Sequence, residues 1–139
     1  MLKEILNVAK ENSFTPLLIS TGCCGQEVTA CLEQKFSGNF TNSPRHANLL
    51  IIAGPITKKA APAIKRLFNQ MPSPKYVISV GNCACSGGIF TSYSVIEGAD
   101  KIIPVDVYLP MCPPSSKKIT ATIEKLKEKI NSKNQGDIL

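Results

Sequence analysis

The chain has 139 residues, of which 43% are hydrophobic and 19% are charged, and it contains six Cys. This length suits one domain, and the apolar share is that of a globular rather than a disordered chain. The longest apolar run, Leu49 to Ile56, is far shorter than the about 20 residues of a membrane-spanning helix. We expect one soluble, cytoplasmic domain over residues 1–139, with its core at about 14–127, that reaches a membrane only through partners.

The formal net charge is +6, from 16 basic and 10 acidic residues. Basic residues that bind nucleic acid are usually interleaved with aromatic ones, a pattern that is missing from this chain, which has no Trp. We therefore expect no nucleic-acid partner. The six Lys within residues 115–139 indicate a solvated helix face instead.

Three elements are predicted in the first third of the chain. Apolar residues at helical spacing predict an amphipathic helix over 2–12. Pro16 ends this pattern, and Leu17-Leu18-Ile19 predicts a short buried strand that runs into Gly22-Cys23-Cys24-Gly25. A second helix is predicted over 26–36.

The middle of the chain alternates strands with helices and loops. Residues 48–53 lack polar alternation after Leu49, which is typical of a parallel strand covered on both faces. A helix with a basic face is predicted over 57–70, where Pro62 is tolerable only in the first turn. Residues 76–80 predict the next strand, and a loop of small residues follows over 81–88.

The last third holds a short helix, an extended segment and a long helix. The short helix is predicted over 92–97, and the extended segment over 102–109 is interrupted by Pro104. The last helix is predicted to start near Ser115 or Ser116, either of which can cap it. We expect its core-facing stripe to consist of Ile119, Ile123, Leu126 and Ile130.

Strands that alternate with helices in a short chain predict an α/β fold. We expect a flavodoxin-like, three-layer domain with a mostly parallel, four-stranded sheet. Ligands of such sheets bind beyond the carboxyl ends of the strands. Three of the four strand ends carry Cys, so the sequence places Cys23-Cys24, Cys83 and Cys112 at one edge of the sheet.

These four Cys predict a soft metal or cluster site. Clustered Cys in a reducing cytosol bind metals or do redox chemistry more often than they form disulfides. Structural zinc sites usually combine two local CxxC pairs, whereas here a tandem pair is followed by single Cys residues 59 and 29 positions further on. This spacing favours an iron–sulfur cluster over zinc. Cys31 is interpreted as a buried helix residue and Cys85 as a thiol near the site, with Cys85 as a ligand the less favoured alternative.

Four sequence blocks resemble the small B-type subunit of respiratory complex I, NADH-quinone oxidoreductase. The same superfamily includes the small subunit of membrane-bound energy-converting [NiFe] hydrogenases. The blocks cover most of residues 14–127 and read GCCGQE (22–27), SPRHANLLIIAGPITKKAAPAIKRL (43–67), QMPSPKYVISVGNCACSGG (70–88) and YSVIEGADKIIPVDVYLPMCPP (93–114).

The resemblance implies one [4Fe-4S] cluster, the terminal one of an electron chain, bound by Cys23, Cys24, Cys83 and Cys112. It also implies that Glu27 lies near the cluster and that Arg45 lies in a loop that faces the large partner subunit. A helix N-terminal carboxylate is the alternative interpretation of Glu27. The lone His46 is interpreted as an interface hydrogen-bonder rather than as part of a Cys–His nucleophile.

The implied function is an electron-transfer subunit of a membrane-associated, ion-translocating oxidoreductase complex that passes electrons to quinone. Its implied partners are a large catalytic or quinone-site subunit, an upstream ferredoxin-like iron–sulfur subunit and membrane subunits, with the chain peripheral on the cytoplasmic side. No catalytic residue is expected in this chain alone.

Other interpretations of the same residues stay open. The tandem Cys pair is the complex I pattern, whereas His46, Gly54-Pro55-Ile56-Thr57 and the GGIF of 87–90 are more like the hydrogenase branch, whose small subunit is the alternative function. Met111 replaces the Gly that is common before the last ligand in both branches. A structural zinc domain without a redox role is a further alternative, and an FMN carrier is disfavoured because Cys-Cys stands where a phosphate cradle needs Ser, Thr and Gly.

Overall fold

A computed structural model describes residues 15–36, 42–72 and 75–136. In chain order the strands and helices are β1 (Pro16–Ser20), α1 (Cys23–Phe36), β2 (Leu49–Ala53), β3 (Ile56–Thr57), α2 (Ala61–Gln70), β4 (Tyr76–Val80), α3 (Asn82–Ser86), β5 (Val95–Ile96), β6 (Val107–Leu109) and α4 (Ser116–Gly136). Three 3-10 helices lie at Pro44–His46, Gly88–Phe90 and Ala99–Lys101. The helix predicted over 2–12 lies outside the described residues.

The main sheet has four parallel strands in the order β1-β2-β4-β6. All five residues of β2, LLIIA, are buried, as the unbroken apolar run predicted for a strand covered on both faces. β4 has the predicted bounds and pairs with β2 through the register Leu49↔Tyr76 to Ala53↔Val80. The prediction of a flavodoxin-like α/β fold with a parallel four-stranded sheet is confirmed.

Helices cover both faces of this sheet. α1 and α4 pack on one face, where α1 buries residues at helical spacing and α4 buries most of its predicted stripe: Cys24, Val28, Cys31, Leu32, Ile119, Ile123 and Leu126. The other face is covered by α2 and α3, through Ile64 and Ala84, and by the 3-10 helix Ala99–Lys101. The connections β1-α1-β2 and β2-α2-β4 both step in the same direction across the sheet, but their helices lie on opposite faces. One of these two crossovers is therefore right-handed and the other is left-handed.

The structure corrects several predicted bounds. The second helix begins at Cys23 rather than at residue 26, so the tandem Cys pair lies inside it. α2 begins at Ala61 because residues 56–57 pair with β5, and Pro62 falls in its first turn as predicted. The loop predicted over 81–88 contains α3, and the extended segment over 102–109 is a strand only at Val107–Leu109.

The short helix predicted over 92–97 is wrong. This segment is a turn followed by β5, which pairs antiparallel with β3 through Ile56↔Ile96 and Thr57↔Val95. The amide of Lys58 also donates a 2.8 Å hydrogen bond to the Ser94 carbonyl. Pairing with residues almost 40 positions away along the chain therefore overrides the local helical pattern.

Candidate functional site

The loop that follows β1 is tied to the end of β2. The Thr21 amide and hydroxyl both donate hydrogen bonds to the Ala53 carbonyl, at 2.8 and 3.0 Å, and the same hydroxyl lies 2.8 Å from the Pro55 carbonyl. Gly54 has φ +101°, and a Cβ there would overlap the Thr21 carbonyl. The chain then turns at Gly22, with φ +83°, directly into α1 and its two Cys residues.

The tandem Cys residues occupy the first turn of α1 and have different surroundings. Cys23 is exposed, whereas Cys24 is 1% exposed and belongs to the core. Neighbouring residues of a helix point about 100° apart, which separates the two side chains in this way. Cys23 therefore faces outward at the carboxyl edge of the sheet, and Cys24 faces inward at the same edge.

The ends of β4 and β6 are joined by hydrogen bonds. The Gly81 amide donates to the Leu109 carbonyl at 2.8 Å, and the Asn82 amide donates to the Met111 carbonyl at 3.1 Å. Cys83 then lies in α3 with 5% of its surface exposed, and Cys112 lies exposed beyond β6. These two bonds bring the loops that carry Cys83 and Cys112 side by side.

Glycines make room for two of the sulfurs. A Cβ on Gly81, whose φ is +87°, would lie 2.5 Å from the Cys24 Sγ and 3.4 Å from the Met111 carbonyl oxygen. A Cβ on Gly88 would lie 3.3 Å from the Cys83 Sγ and from its amide nitrogen. The space around the two buried sulfurs therefore depends on residues without side chains.

The two buried thiols, Cys24 and Cys83, have raised pKa values because of burial and of the thiols beside them. Burial first, and then Cys23, Cys112 and Cys83, raise the pKa of Cys24 to about 11. Burial, followed by Cys112 and Cys23, also raises the pKa of Cys83. These effects indicate that the other three thiols lie close to the Cys24 sulfur, and they disfavour thiolates at Cys24 and Cys83 without a positive centre.

The four thiols do not form a single-ion cage. Among residues 15–36, 42–72 and 75–136, no three His, Cys, Asp or Glu side chains are placed to hold one metal ion. The four cysteines are thus neighbours around the carboxyl end of the sheet without being arranged around one ion.

The two residues predicted near the cluster or an interface lie in different places. Glu27 is half-buried on α1. It lies just after the first turn of α1, and that first turn contains no acidic residue. Arg45 is exposed in the 3-10 helix Pro44–His46, which precedes β2 and lies at the amino ends of the strands. An interface role for Arg45 stays a prediction, at the edge of the sheet opposite the four cysteines.

His46 lies in the same 3-10 helix and is exposed. Its carbonyl accepts a 2.7 Å hydrogen bond from the Thr15 hydroxyl, next to the start of β1. Cys83 and Cys85 lie at the other end of the sheet, so His46 forms no Cys–His pair with either of them.

The two remaining Cys residues occupy separate sites. Cys31 is 3% exposed between α1 and α4, with its Sγ 3.5 Å from the Thr120 Oγ1, which confirms its interpretation as a buried helix residue. The Cys85 thiol donates to the Ser79 carbonyl at 3.5 Å, and burial raises its pKa. That Cys85 is not a ligand stays a prediction.

Sequence reasoning missed Asp106, which fixes the register of the strand before Cys112. One carboxylate oxygen of Asp106 accepts a 2.9 Å hydrogen bond from the Val77 amide, and the Asp106 amide donates to the Val77 carbonyl at 3.0 Å. The signal was an Asp between two Val at the start of an apolar strand. Asp106 thereby holds β6, and the loop after it, against β4.

Sequence reasoning also missed three exposed apolar side chains on the segment after α3. Ile89 is 88% exposed, Phe90 53% and Tyr93 90%. We call these three residues the apolar rim. The GGIF motif was its sequence signal, since two glycines before two large apolar residues indicate a turn that presents them outward.

Fold and site together define a class: a flavodoxin-like α/β domain with a thiol-lined site at the carboxyl edge of its sheet. The family described as "NADH ubiquinone oxidoreductase, 20 Kd subunit" matches residues 8–126. The chain belongs to this family. Its relatives are subunits of an oxidoreductase complex, and the chain is therefore assigned to a complex of this kind.

Individual relatives agree with the assignment. The B-type subunit of the NADH-quinone oxidoreductase of Flavobacterium psychrophilum is 42% identical over 139 residues, which cover 96% of this chain and 77% of the relative. The K-type subunit of the NAD(P)H-quinone oxidoreductase of Thermosynechococcus vestitus is 47% identical over 136 residues, covering 93% of this chain and 57% of the relative.

Two solved structures show similar folds. A chain of the membrane-bound sulfane sulfur reductase, an archaeal respiratory membrane complex, superposes with a TM-score of 0.84 at 35% identity, over 92% of this chain and 76% of that one. A chain of an NAD+-reducing [NiFe]-hydrogenase has a TM-score of 0.62 at 14% identity, over 85% and 93% of the two chains, and shows the fold alone. Within the described part of this chain, no helix is long and apolar enough to cross a membrane.

Proposed function

We propose that the chain is the electron-transfer subunit of a membrane-associated oxidoreductase complex and that Cys23, Cys24, Cys83 and Cys112 bind one [4Fe-4S] cluster. The observation that carries this proposal is the placement of the four cysteines at one sheet edge. Hydrogen bonds join the ends of β4 and β6, which lead to Cys83 and Cys112, and the Cys24 sulfur lies against Gly81 at the end of β4. A bound cluster would supply one-electron transfer. The chain itself would position the thiolates and limit the access of water to them.

The fold supplies favourable surroundings for a negatively charged cluster. α1 begins at Cys23, so its amino end lies at the site, whereas the amino end of α4 lies beside Cys31, about two turns further along α1. Amino ends of helices carry partial positive charge and unpaired amide groups, which favour thiolates and can donate hydrogen bonds to sulfur. No Asp or Glu lies between Glu33 and Glu97 in the sequence. The pKa of Cys85 in α3 is raised by burial and then by Asp100, the carboxylate that acts on this helix.

A structural zinc domain is the second interpretation, and two observations weigh against it. The described side chains are not arranged around a single ion. The thiols also come from three separate segments, the first turn of α1, α3 and the loop after β6, rather than from two local CxxC knuckles. A cluster with four separate irons suits four thiols that approach from different directions better than one zinc ion does.

The electron acceptor is proposed to lie in a larger partner subunit. The apolar rim of Ile89, Phe90 and Tyr93 follows α3 directly, and exposed aromatic and aliphatic side chains of this kind are typical of protein interfaces. The acceptor is a quinone in a complex like that of the NADH-quinone oxidoreductase relatives. An upstream ferredoxin-like iron–sulfur subunit and membrane subunits complete the proposed assembly, with this chain peripheral on the cytoplasmic side of the membrane.

A second candidate complex is supported by the structural comparison. The chain that superposes at a TM-score of 0.84 belongs to a membrane-bound sulfane sulfur reductase, a complex named for sulfane sulfur rather than for quinone. In a complex of that kind, or in an energy-converting [NiFe] hydrogenase, the electrons would pass to or from a catalytic centre of the large subunit. The site on this chain would be the same in all three cases.

Anaerobic reconstitution tests the cluster. The full chain is incubated with iron, sulfide and a thiol reductant, and iron, acid-labile sulfide and zinc are then measured. We expect about four irons and four sulfides per chain and an S = 1/2 EPR signal after dithionite reduction. The assay is repeated with zinc and iron present together. If the chain then binds one zinc and gives no EPR signal, the electron-transfer proposal is disproved.

The ligand set is tested by single Cys→Ser variants in the same assay. Substitution of Cys23, Cys24, Cys83 or Cys112 should abolish the cluster or change its EPR signal. Cys31→Ser and Cys85→Ser are the matched controls and should retain about four irons. A chain that loses iron with Cys85→Ser but keeps it with Cys23→Ser would show that the ligand set is wrong.

A further inference from the structure

Acidic residues are absent from a long central part of the chain. Between Glu33 and Glu97 the sequence contains no Asp or Glu, although it contains seven Lys and Arg residues. These are Lys35, Arg45, Lys58, Lys59, Lys65, Arg66 and Lys75. The overall charge of +6 is thus distributed unevenly, with its uncompensated part in this segment.

The fold collects five of these residues on the side of the sheet that α2 covers. Lys58 and Lys59 precede α2 and Lys65 and Arg66 lie within it, and all four side chains are exposed. Arg45 is exposed on the 3-10 helix Pro44–His46, which lies against α2. We call these five side chains the basic face.

The basic face has no internal counterion among the described residues. None of its five side chains forms an ion pair with a described carboxylate, of the kind that Lys101 forms with Glu97 at 3.0 Å. Lys75 differs, because its amine donates to the Phe68 carbonyl at 2.9 Å and lies 4.0 Å from the centre of the Phe68 ring. The charges of the basic face are therefore available to a partner.

We propose that the basic face is a docking surface for a carboxylate-rich surface of another protein. Five cations fixed on a short rigid helix and the turns beside it attract an acidic surface over a distance of about one Debye length, about 8 Å at physiological salt. Such fields raise association rates by about 10- to 1,000-fold at low salt. The proposal does not depend on the cluster, since no residue of the basic face is a thiol.

The neighbouring residues favour a protein over an anionic lipid surface. The other exposed residues of α2 are Pro62, Ala63, Asn69 and Gln70, none of which can insert a large apolar side chain into a bilayer. Helices that bind in the membrane interface need a large apolar face beside their cations. α2 instead buries its apolar side, including Ile64, against the sheet.

Zero-length cross-linking tests the proposal on the assembled complex. A carbodiimide joins a Lys amine to a carboxylate only when the two are in contact, and mass spectrometry then identifies both peptides. We expect Lys58, Lys59 or Lys65 to be joined to Asp or Glu residues of another protein. Lys65→Arg is the matched control: it keeps the charge, so the complex should assemble normally, but the cross-link at position 65 should disappear.

Charge reversal tests the energetic side of the proposal. The chain is first removed from the complex, and the rate at which added full-length chain binds again is then measured. The Lys65→Glu/Arg66→Glu double variant should bind at least about tenfold more slowly than the wild-type chain at low salt, and this difference should disappear at high salt. The Lys117→Glu/Lys118→Glu double variant on α4 changes the net charge equally and should bind at the wild-type rate. Cysteine variants that lack the cluster should keep the cross-links, which separates this proposal from the preceding one.

Two outcomes would overturn the docking proposal. The first is a complex in which the lysines of α4, but not those of the basic face, are joined to carboxylates of other proteins. The second is binding of the wild-type chain to vesicles rich in phosphatidylglycerol, lost in Lys65→Glu/Arg66→Glu, together with an unchanged rate of reassociation with the stripped complex. The second outcome would identify a lipid surface as the partner.

Discussion

Gly81 and the Cys24 sulfur are in close contact, such that a Cβ on Gly81 would lie 2.5 Å from that sulfur. The contact connects the end of β4 to the first turn of α1, across the end of β2. Because Gly81 also has φ +87°, an Ala at this position is both strained and too large. Gly81 thus allows the Cys24 thiol, which follows β1, to approach the end of β4 just before Cys83.

Gly81→Ala should therefore disrupt the site. The positive φ alone disfavours Ala by about 1–2 kcal/mol, and the added methyl group must displace Cys24 or the strand end. We expect a loss of most of the bound iron in reconstitution assays and a lower midpoint in urea unfolding of the cluster-free chain. Gly22→Ala is the control, since φ is +83° there but the added Cβ meets only Pro55 Cδ at 3.4 Å. It should cost stability alone, and equal iron loss in both variants would contradict the steric explanation.

The four thiols should differ in reactivity when the cluster is absent. Cys23 and Cys112 are exposed, whereas Cys24 is buried and has a pKa of about 11 instead of 9.0. Since only the thiolate is alkylated, the pKa difference alone slows Cys24 by about 100-fold at pH 8. Timed iodoacetamide labelling with peptide mass spectrometry should find Cys23 and Cys112 modified first and Cys24 far later. Equal labelling rates would show that Cys24 is not buried among thiols.

The cluster-free chain should lose stability in alkaline solution. The folded-state pKa of Cys24 is raised, so the thiol keeps its proton in the folded chain after the unfolded chain has lost it. Its stabilising contribution is full below pH 9.0 and is lost as the pH rises toward about 11, by at most about 2–3 kcal/mol. Urea unfolding at pH 8, 9, 10 and 11 measures this loss. Cys24→Ala should flatten the decline, and an equally steep decline in this variant would assign it to other groups.

The folded chain should be more stable with Ala than with Ser at position 79. The Ser79 side chain is fully buried in β4, and its hydroxyl has no oxygen or nitrogen partner among the described residues, with only the weakly hydrogen-bonding Cys85 thiol beside it. Because a buried unpaired hydroxyl costs about 1–3 kcal/mol, Ser79→Ala should raise the free energy of unfolding by about 1 kcal/mol. Thr122→Val is the control, since the Thr122 hydroxyl is buried but donates to the Lys118 carbonyl at 2.8 Å. A destabilised Ser79→Ala variant would show that this hydroxyl is paired.

The sequence predicted the parts of the fold that depend on local apolar patterns. β1, β2 and β4 were found because parallel strands covered on both faces are short, apolar and bounded by Pro or Gly. The position of the four cysteines followed from the rule that parallel strands end at one edge. The burial of Cys31 followed in the same way from its place on an apolar helix face.

The features that the sequence did not predict depend on contacts between distant residues. Val95 and Ile96 form a strand only because β3 lies beside them. α3 has five residues, too few to show helical periodicity, and its position depends on the hydrogen bonds from Gly81 and Asn82 to the β6 loop. The basic face was predicted only as a helix side, since its fifth member, Arg45, joins it through packing.

The thiols follow both edge strands of the sheet, β1 and β6, as well as β4. Cys23 and Cys24 lie in the first turn of α1, Cys83 lies in α3 and Cys112 lies in the loop after β6. No fragment that ends before Cys112 contains the whole set, and the loop of Cys112 is positioned only when β6 pairs with β4. The site is therefore complete only after the chain has been synthesised through Cys112 and β6 has paired with β4. A ligand that needs all four thiols thus requires the paired sheet, because no single segment carries them all.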